Sequence, residues 1–317
     1  MKIGMITDSL PDTTFDAMLA VAARLRMDML EFGCGNWSSA PHLDLDRMLG
    51  SDAARRDFRS RLNGHGIAIS ALNCSGNPLH PGEQGRKHDE VTRKTIRLAG
   101  LMDVERVVLM SGCPGAPGDA HANWITTEWP PEVREIVRWQ WDEVLIPYWR
   151  DLVTYANAHG VRKLCLELHG YQNVYNVATL KRLRDAVGEA VGANLDPSHL
   201  MWMGADPIAA AHALDGAIYY VHAKDTRIEP RAAVDGVIDT TPGSDYRHRA
   251  WNYITLGDGH DESWWRRFVA ALAQNGYDDV LSIEHEDPAM GAEEGVEKSV
   301  LLLRRAIGSP APRGQPH

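Results

Sequence analysis

Four apolar runs in the second half of the chain each carry one metal-ligating side chain near their C-terminal end: Glu167 in CLELHG, Asp196 in ANLDPSH, His222 in YVHAKD and Glu284 in SIEHED. A charged group inside an apolar run is costly unless it is paired or coordinates a cation. Two glutamates, an aspartate and one imidazole form a hard, oxygen-rich donor set. Such a set suits one divalent ion, Mn2+ first, with Mg2+ or Co2+ as alternatives, better than a thiolate zinc centre. The competing explanation is four separate strand ends, each with its own salt bridge.

Side chains two apart on a strand share a face. Glu167 therefore pairs with His169, His222 with Lys224, and Glu284 with Glu286, while His199 follows Asp196 by three residues. His285 is expected to point outward, toward a helix layer. His169 is the first choice for a proton-abstracting base, because an unperturbed imidazole titrates near neutral pH. Glu167 and Glu284 could also serve where a ligating carboxylate keeps a free oxygen. Lys224 reads either as a substrate-facing cation or as the charge partner of Asp225.

The elements that must position these residues follow from the hydrophobic pattern. Eight runs read as buried strands: Lys2–Thr7, Met27–Phe32, Ile67–Leu72, Arg106–Met110, Arg162–Leu168, Ala193–Asp196, Ile218–Ala223 and Val280–Glu284. Helical patterns lie between them, at Thr14–Leu25, Asp46–Asn63, Asp89–Leu101, Trp139–Ala158, Ala178–Val187, Glu262–Gln274 and Gly295–Ala306. This alternation predicts a single-domain α/β fold, a (β/α)8 barrel over residues 1–308, with 309–317 as a flexible tail. The alternative is a doubly wound open sheet, although no G-x-G-x-x-G follows the first strand. The connections Ser111–Pro131 and Thr226–Asp261, after strands four and seven, are long. In a barrel they stand on the face where active sites form. Their aromatic and histidine content, including Trp124, Trp129, Trp251, Tyr253 and His260, suits stacking on a flat ligand or packing on a partner.

Composition removes several classes. The 317 residues are 44% hydrophobic and 24% charged, which is ordinary for a globular chain. A net charge of −10 disfavours a general nucleic-acid binder. No apolar run is long enough to span a bilayer, and the first residues, MKIGMITDSLPD, lack a signal-peptide core. The four cysteines are scattered, with no Cys-x-x-Cys pair. A cytoplasmic setting is expected.

The set Glu167, Asp196-x-x-His199, His222-x-Lys224-Asp225 and Ile283-Glu284 resembles the xylose-isomerase-like barrels, the sugar phosphate isomerase/epimerase group, along nearly the whole chain. The resemblance implies one divalent ion on the four ligands and enolisation of a carbonyl sugar. Within that group, Leu166–Gly170, the insertion after Asp225 and Ser282–Pro288 resemble large subunits of bacterial C-glycoside deglycosidases. That narrower resemblance implies cleavage of a 3-oxo-glycoside together with a small second subunit; otherwise a homo-oligomer is expected. The resemblance to the epimerases of the wider group implies that His199 and Arg227 hold sugar oxygens. Lys224 or His260 would protonate the departing group. His169, two residues after Glu167, departs from the epimerase pattern and offers an extra base.

Three rivals remain at this level. A ketose 3-epimerase or isomerase would share the first half of the reaction. A DNA-repair endonuclease shares the barrel, but it needs further histidine ligands that His222-Ala-Lys-Asp225 does not supply. A metal-free scaffolding barrel would require the four ligands to be coincidental.

Overall fold

The computed structural model describes residues 1–308; the expected tail, 309–317, lies outside the described residues. Eight parallel strands close into a barrel: β1 (Lys2–Ile6), β2 (Met29–Gly33), β3 (Ala68–Asn73), β4 (Arg106–Leu109), β5 (Lys163–Glu167), β6 (Val191–Leu195), β7 (Ile218–Ala223) and, after a hairpin of β8 (Asp225–Ile228) and β9 (Trp251–Ile254), β10 (Val280–Ile283). β1 pairs with both β2 and β10, which closes the ring and removes the open-sheet alternative. The helices pack outside. The barrel strands are apolar on both faces, because one face meets the helices and the other meets the lumen.

The lumen is layered by the two-residue period of each strand. Met29, Ala71, Val108, Cys165, Tyr220 and Val280 form one separate buried apolar cluster drawn from six strands. Two residues further along the same strands come Glu31, Asn73, Met110, Glu167, His222 and Ser282. Register keeps these at matching heights: Ser282 pairs with His222, and Glu167 with Asn194, so Asp196 stands one step above Glu167. An apolar plug thus underlies a polar layer at the C-terminal mouth.

Several helices differ from the pattern-based expectation. The helix expected over 46–63 is two helices, Leu45–Gly50 and Asp52–Gly64, separated at Ser51. Ser51 is extended (φ −142°) and its hydroxyl accepts the Ala54 N–H, so a local cap outcompetes helix continuation. The expected Asp89 start lies at Glu83. The helix expected from Trp139 begins at Glu132 and passes through a wide π turn, Gln140–Leu145, before continuing over Ile146–Ala158. Pro147, just beyond that turn, has no N–H for the regular ladder, which accounts for the irregularity there. Two short helices that begin with proline, Pro197–Trp202 and Pro207–Leu214, follow β6. The long connection after β7 contains the antiparallel β8–β9 hairpin.

Candidate metal centre

Glu167, Asp196, His222 and Glu284 each bring one ligand atom to a common point, all four atoms within 4.8 Å of one another. Glu167 ends β5. Asp196 follows β6 and caps the next helix, with Oδ1 accepting the Ser198 N–H at 2.8 Å, so Oδ2 is left for the centre. His222 lies on β7. Its Nε2 faces Glu31 Oε2 at 3.0 Å and Oε1 at 3.1 Å. A carboxylate accepts only, so Nε2 carries a hydrogen, and a bound ion would take the lone pair of Nδ1. Nδ1 lies 3.0 Å from Glu284 Oε2.

Three atoms of this group, Asp196 Oδ2, His222 Nδ1 and Glu284 Oε2, are buried with no hydrogen-bond partner. Buried polar atoms that converge with no well-formed hydrogen bond are costly unless a cation lies between them. The arrangement fits a divalent ion held by two glutamates, an aspartate and an imidazole.

Burial pushes Glu167 up, with Glu284 adding to the effect. Burial raises Asp196 to about 6. Burial opposes the charge of Glu284, but Lys224 and His222 outweigh it and hold this carboxyl well below its usual range. For His222, burial opposes the charge, but Glu31 and Glu284 outweigh it and hold the pKa well above the usual imidazole range.

Glu31 is the residue that the sequence reading missed. Its fully buried carboxylate accepts from Asn73 Nδ2 at 2.7 Å, from Ser282 Oγ at 2.8 Å and from His222 Nε2. A carboxylate behind a ligating histidine fixes the tautomer and raises ligand basicity. The signal was present: Glu31 is the one charged residue in the buried run MLEFG.

A cavity of about 190 Å3 opens beside the four ligands. His169, His199, Lys224 and Glu286 line it on one side; Asp8, Trp37, Ser38 and Ser75 line it on the side of β1 to β3. His169 Nδ1 bonds to the Gly170 carbonyl, so Nδ1 carries the hydrogen. Nε2 then bears a lone pair and makes no hydrogen bond among the described residues. Burial, with the His199 ring tilted beside it at 4.0 Å between centroids, pushes the His169 pKa down to about 3, so this ring is neutral at pH 7.

His199 has both nitrogens engaged. Nε2 donates to Glu167 Oε1 at 2.6 Å, and Nδ1 faces the Tyr253 hydroxyl at 2.9 Å. Burial lowers its pKa to about 4. In this structure His199 orients a ligand as well as lining the cavity.

Lys224 is not the partner of Asp225. Its ammonium lies 2.6 Å from Glu286 Oε2, 3.3 Å from Glu284 Oε2 and 4.1 Å from the centre of the Tyr253 ring. Burial disfavours its charge, but Glu284 and Glu286 outweigh burial and keep it protonated. Asp225 turns instead to the base of the hairpin and accepts the N–H groups of Thr226, Gly257 and His260.

Two expected substrate-binding residues are engaged elsewhere and do not line the cavity. His260 Nδ1 bonds to Asp225 at 2.8 Å, and its ring packs on Trp264. Arg227 is half-exposed on β8 and pairs with Glu229 at 2.7 Å. Both follow from β8, which turns the chain away from the mouth directly after Lys224. His285 does point outward: its ring occupies the space beside Gly295 of the last helix, Ala292–Ile307.

Among the described residues no helix is long and apolar enough to cross a membrane.

The fold agrees with known proteins. The protein YfiH of Bacillus subtilis strain 168, described as uncharacterized, is 49% identical over 311 residues, covering 97% of this chain and 99% of that protein. The zinc-bound IolI protein superposes with a TM-score of 0.67 at 19% identity, covering 97% of this chain and 98% of its own. An L-ribulose 3-epimerase superposes with a TM-score of 0.66 at 17% identity, covering 97% and 94%. The probable 3-DHS dehydratase AsbF of Bacillus anthracis gives 0.66 at 16% identity, covering 96% and 98%. At such identities the solved structures share the fold alone. The family model for the xylose isomerase-like TIM barrel matches residues 19–306, and the chain belongs to that family.

Proposed function

We propose that this chain is a divalent-metal-dependent enzyme that enolises a 3-oxo-sugar and cleaves its glycosidic bond by β-elimination. Manganese is the proposed ion. The observation that carries the reading is His169, whose unengaged Nε2 borders the same cavity as Glu167 and Glu284 of the four converging side chains.

A divalent ion, when bound, supplies positive charge beside the C3 carbonyl oxygen as that oxygen becomes negative, which acidifies the proton at C2. His169 Nε2 takes that proton; the Gly170 carbonyl holds Nδ1–H and so keeps the accepting nitrogen toward the cavity. The C2–H electrons form the C1–C2 double bond as the C1–aglycone bond breaks. The aglycone leaves with the electrons of the broken C1–aglycone bond and takes up a proton, which the protonated His169 can return. Lys224, kept charged by Glu284 and Glu286, faces the sugar oxygens. Trp37, 48% exposed at the cavity rim, offers a flat apolar surface to the ring.

The expected small second subunit belongs to this proposal. Trp129, Tyr171, Val234 and Ile238, all large and exposed, stand on connections at the mouth, where such a chain would lie.

The second reading is a 3-epimerase. It is favoured by the two glutamates Glu167 and Glu284, which flank the centre and could act on opposite faces of one carbon, and by the fold shared with an L-ribulose 3-epimerase. One experiment separates the readings. The protein is loaded with Mn2+ and incubated in D2O with an aryl 3-oxo-glucoside and, separately, with free ketoses. Release of the phenol supports cleavage. Deuterium entering a ketose without bond cleavage supports epimerisation and counts against the elimination.

A further inference from the structure

We infer that Tyr253, carried into the mouth by the insertion after β7, is a positioning residue for the metal centre and acts through His199. The inference rests on the reading of the four-ligand group as a metal site.

The hydroxyl of Tyr253 lies 2.9 Å from His199 Nδ1, and the opposite nitrogen of the same ring donates to Glu167 Oε1 at 2.6 Å. Glu167 accepts there, so His199 Nε2 carries the hydrogen. Nδ1 is then a bare acceptor, and the tyrosine O–H is its donor. A three-member chain, Tyr253 to His199 to Glu167, runs from the insertion into the ligand set. The Tyr253 ring also lies over the Lys224 ammonium at 4.1 Å.

A hairpin outside the barrel can hold this geometry only if it is itself fixed, and it is tied at three places. Asp225, at its first residue, accepts from the backbone of Gly257 and His260 beyond its last strand, so the two ends are clamped together. His260 adds its ring to the same carboxylate. Thr226 Oγ1 donates to the Ser198 carbonyl at 3.0 Å, which binds the hairpin to the short helix that carries His199. The N–H and hydroxyl of Thr255 both donate to Asp287 Oδ2 at 2.9 Å, tying β9 to the segment that follows Glu284. On the outer side Trp251 stacks on Trp202 with centroids 4.8 Å apart and planes at 4°, seating the strand that bears Tyr253. The insertion is thereby built into the centre on both sides of the four ligands.

The test uses the full chain, Mn2+ as the probe, and the free-ion electron paramagnetic resonance signal as the readout. Tyr253→Phe removes the hydroxyl and leaves the ring over Lys224; unchanged thermal unfolding confirms the fold. This variant is expected to bind Mn2+ about fivefold more weakly, the scale of one lost hydrogen bond. His199→Gln can still donate to Glu167 but offers no ring Nδ1. In the His199→Gln background, and in His199→Ala, the added Tyr253→Phe change should have no further effect. The same fivefold loss in both backgrounds, or no loss in the single variant, overturns the inference. Failure of the wild-type protein to bind Mn2+ overturns the metal reading itself, and the role of Tyr253 with it.

Discussion

His222 Nε2 lies 3.0 Å from the nearer oxygen of Glu31, a carboxylate on a strand 191 residues away in sequence. That contact decides which nitrogen of His222 faces the centre. It also sets up the first prediction. Three donors, from His222, Asn73 and Ser282, converge on Glu31. Glu31→Gln would turn an amide NH2 against at least one of them and leave His222 free to change tautomer. Mn2+ affinity should fall by about 10–100-fold, the range for loss of a group behind a metal ligand. Isothermal titration of the wild-type and variant proteins checks this; equal dissociation constants would remove Glu31 from the centre.

Glu167→Gln and Asp196→Asn replace hard anionic donors by neutral amides. Each should lower metal affinity by more than the roughly 10–100-fold expected for Glu31→Gln, because the ligand itself is weakened. Metal analysis after gel filtration with one equivalent of Mn2+ reads the outcome. Full loading of either variant would exclude that residue from the ligand set.

His169→Ala should separate binding from proton transfer. Its ring makes no hydrogen bond to the four candidate ligands among the described residues, so metal content should stay at the wild-type level. Exchange of the C2 proton of a 3-oxo-glucoside should slow by roughly 10²–10⁴-fold, the usual contribution of a positioned base. Unchanged exchange would assign the proton transfer to another group, with Glu167 and Glu284 the remaining carboxylates at the centre.

Gly295 gives a prediction whose sign depends on tertiary structure. In an isolated helix, glycine to alanine stabilises by about 1 kcal/mol. Here a methyl group at 295 would collide with the imidazole of His285. Gly295→Ala should therefore destabilise, by about 1–3 kcal/mol for overpacking less the helix gain. In a His285→Ala background the same change should become neutral or stabilising. Urea unfolding of the four proteins tests the reversal, and a stabilising Gly295→Ala single variant would contradict it.

The sequence by itself determined the eight barrel strands, the alternation with helices and the four candidate ligands that the fold brings together, because a polar residue at the end of an apolar run is visible in one dimension. The two-residue period also brought out the pairing of Glu167 with His169 and of His222 with Lys224, and the outward direction of His285. Local caps and ladder breaks were less legible: Ser51 looks like helix interior until its hydroxyl is seen on the Ala54 N–H.

Tertiary structure decided the rest. Whether Lys224 meets Asp225 or Glu286 depends on where β8 leaves the barrel; β8 takes Asp225 and Arg227 out of the cavity lining, and Asp225 holds His260 outside it. Glu31 became a partner of His222 only when the ring closed through β1 and β10 and brought β2 and β7 to face each other across the lumen. Tyr253 reached His199 only because a hairpin folded back over the mouth. Hydrophobic periodicity reports which face of an element is buried; it carries no record of which distant face lies opposite, since that is set by barrel closure and loop docking.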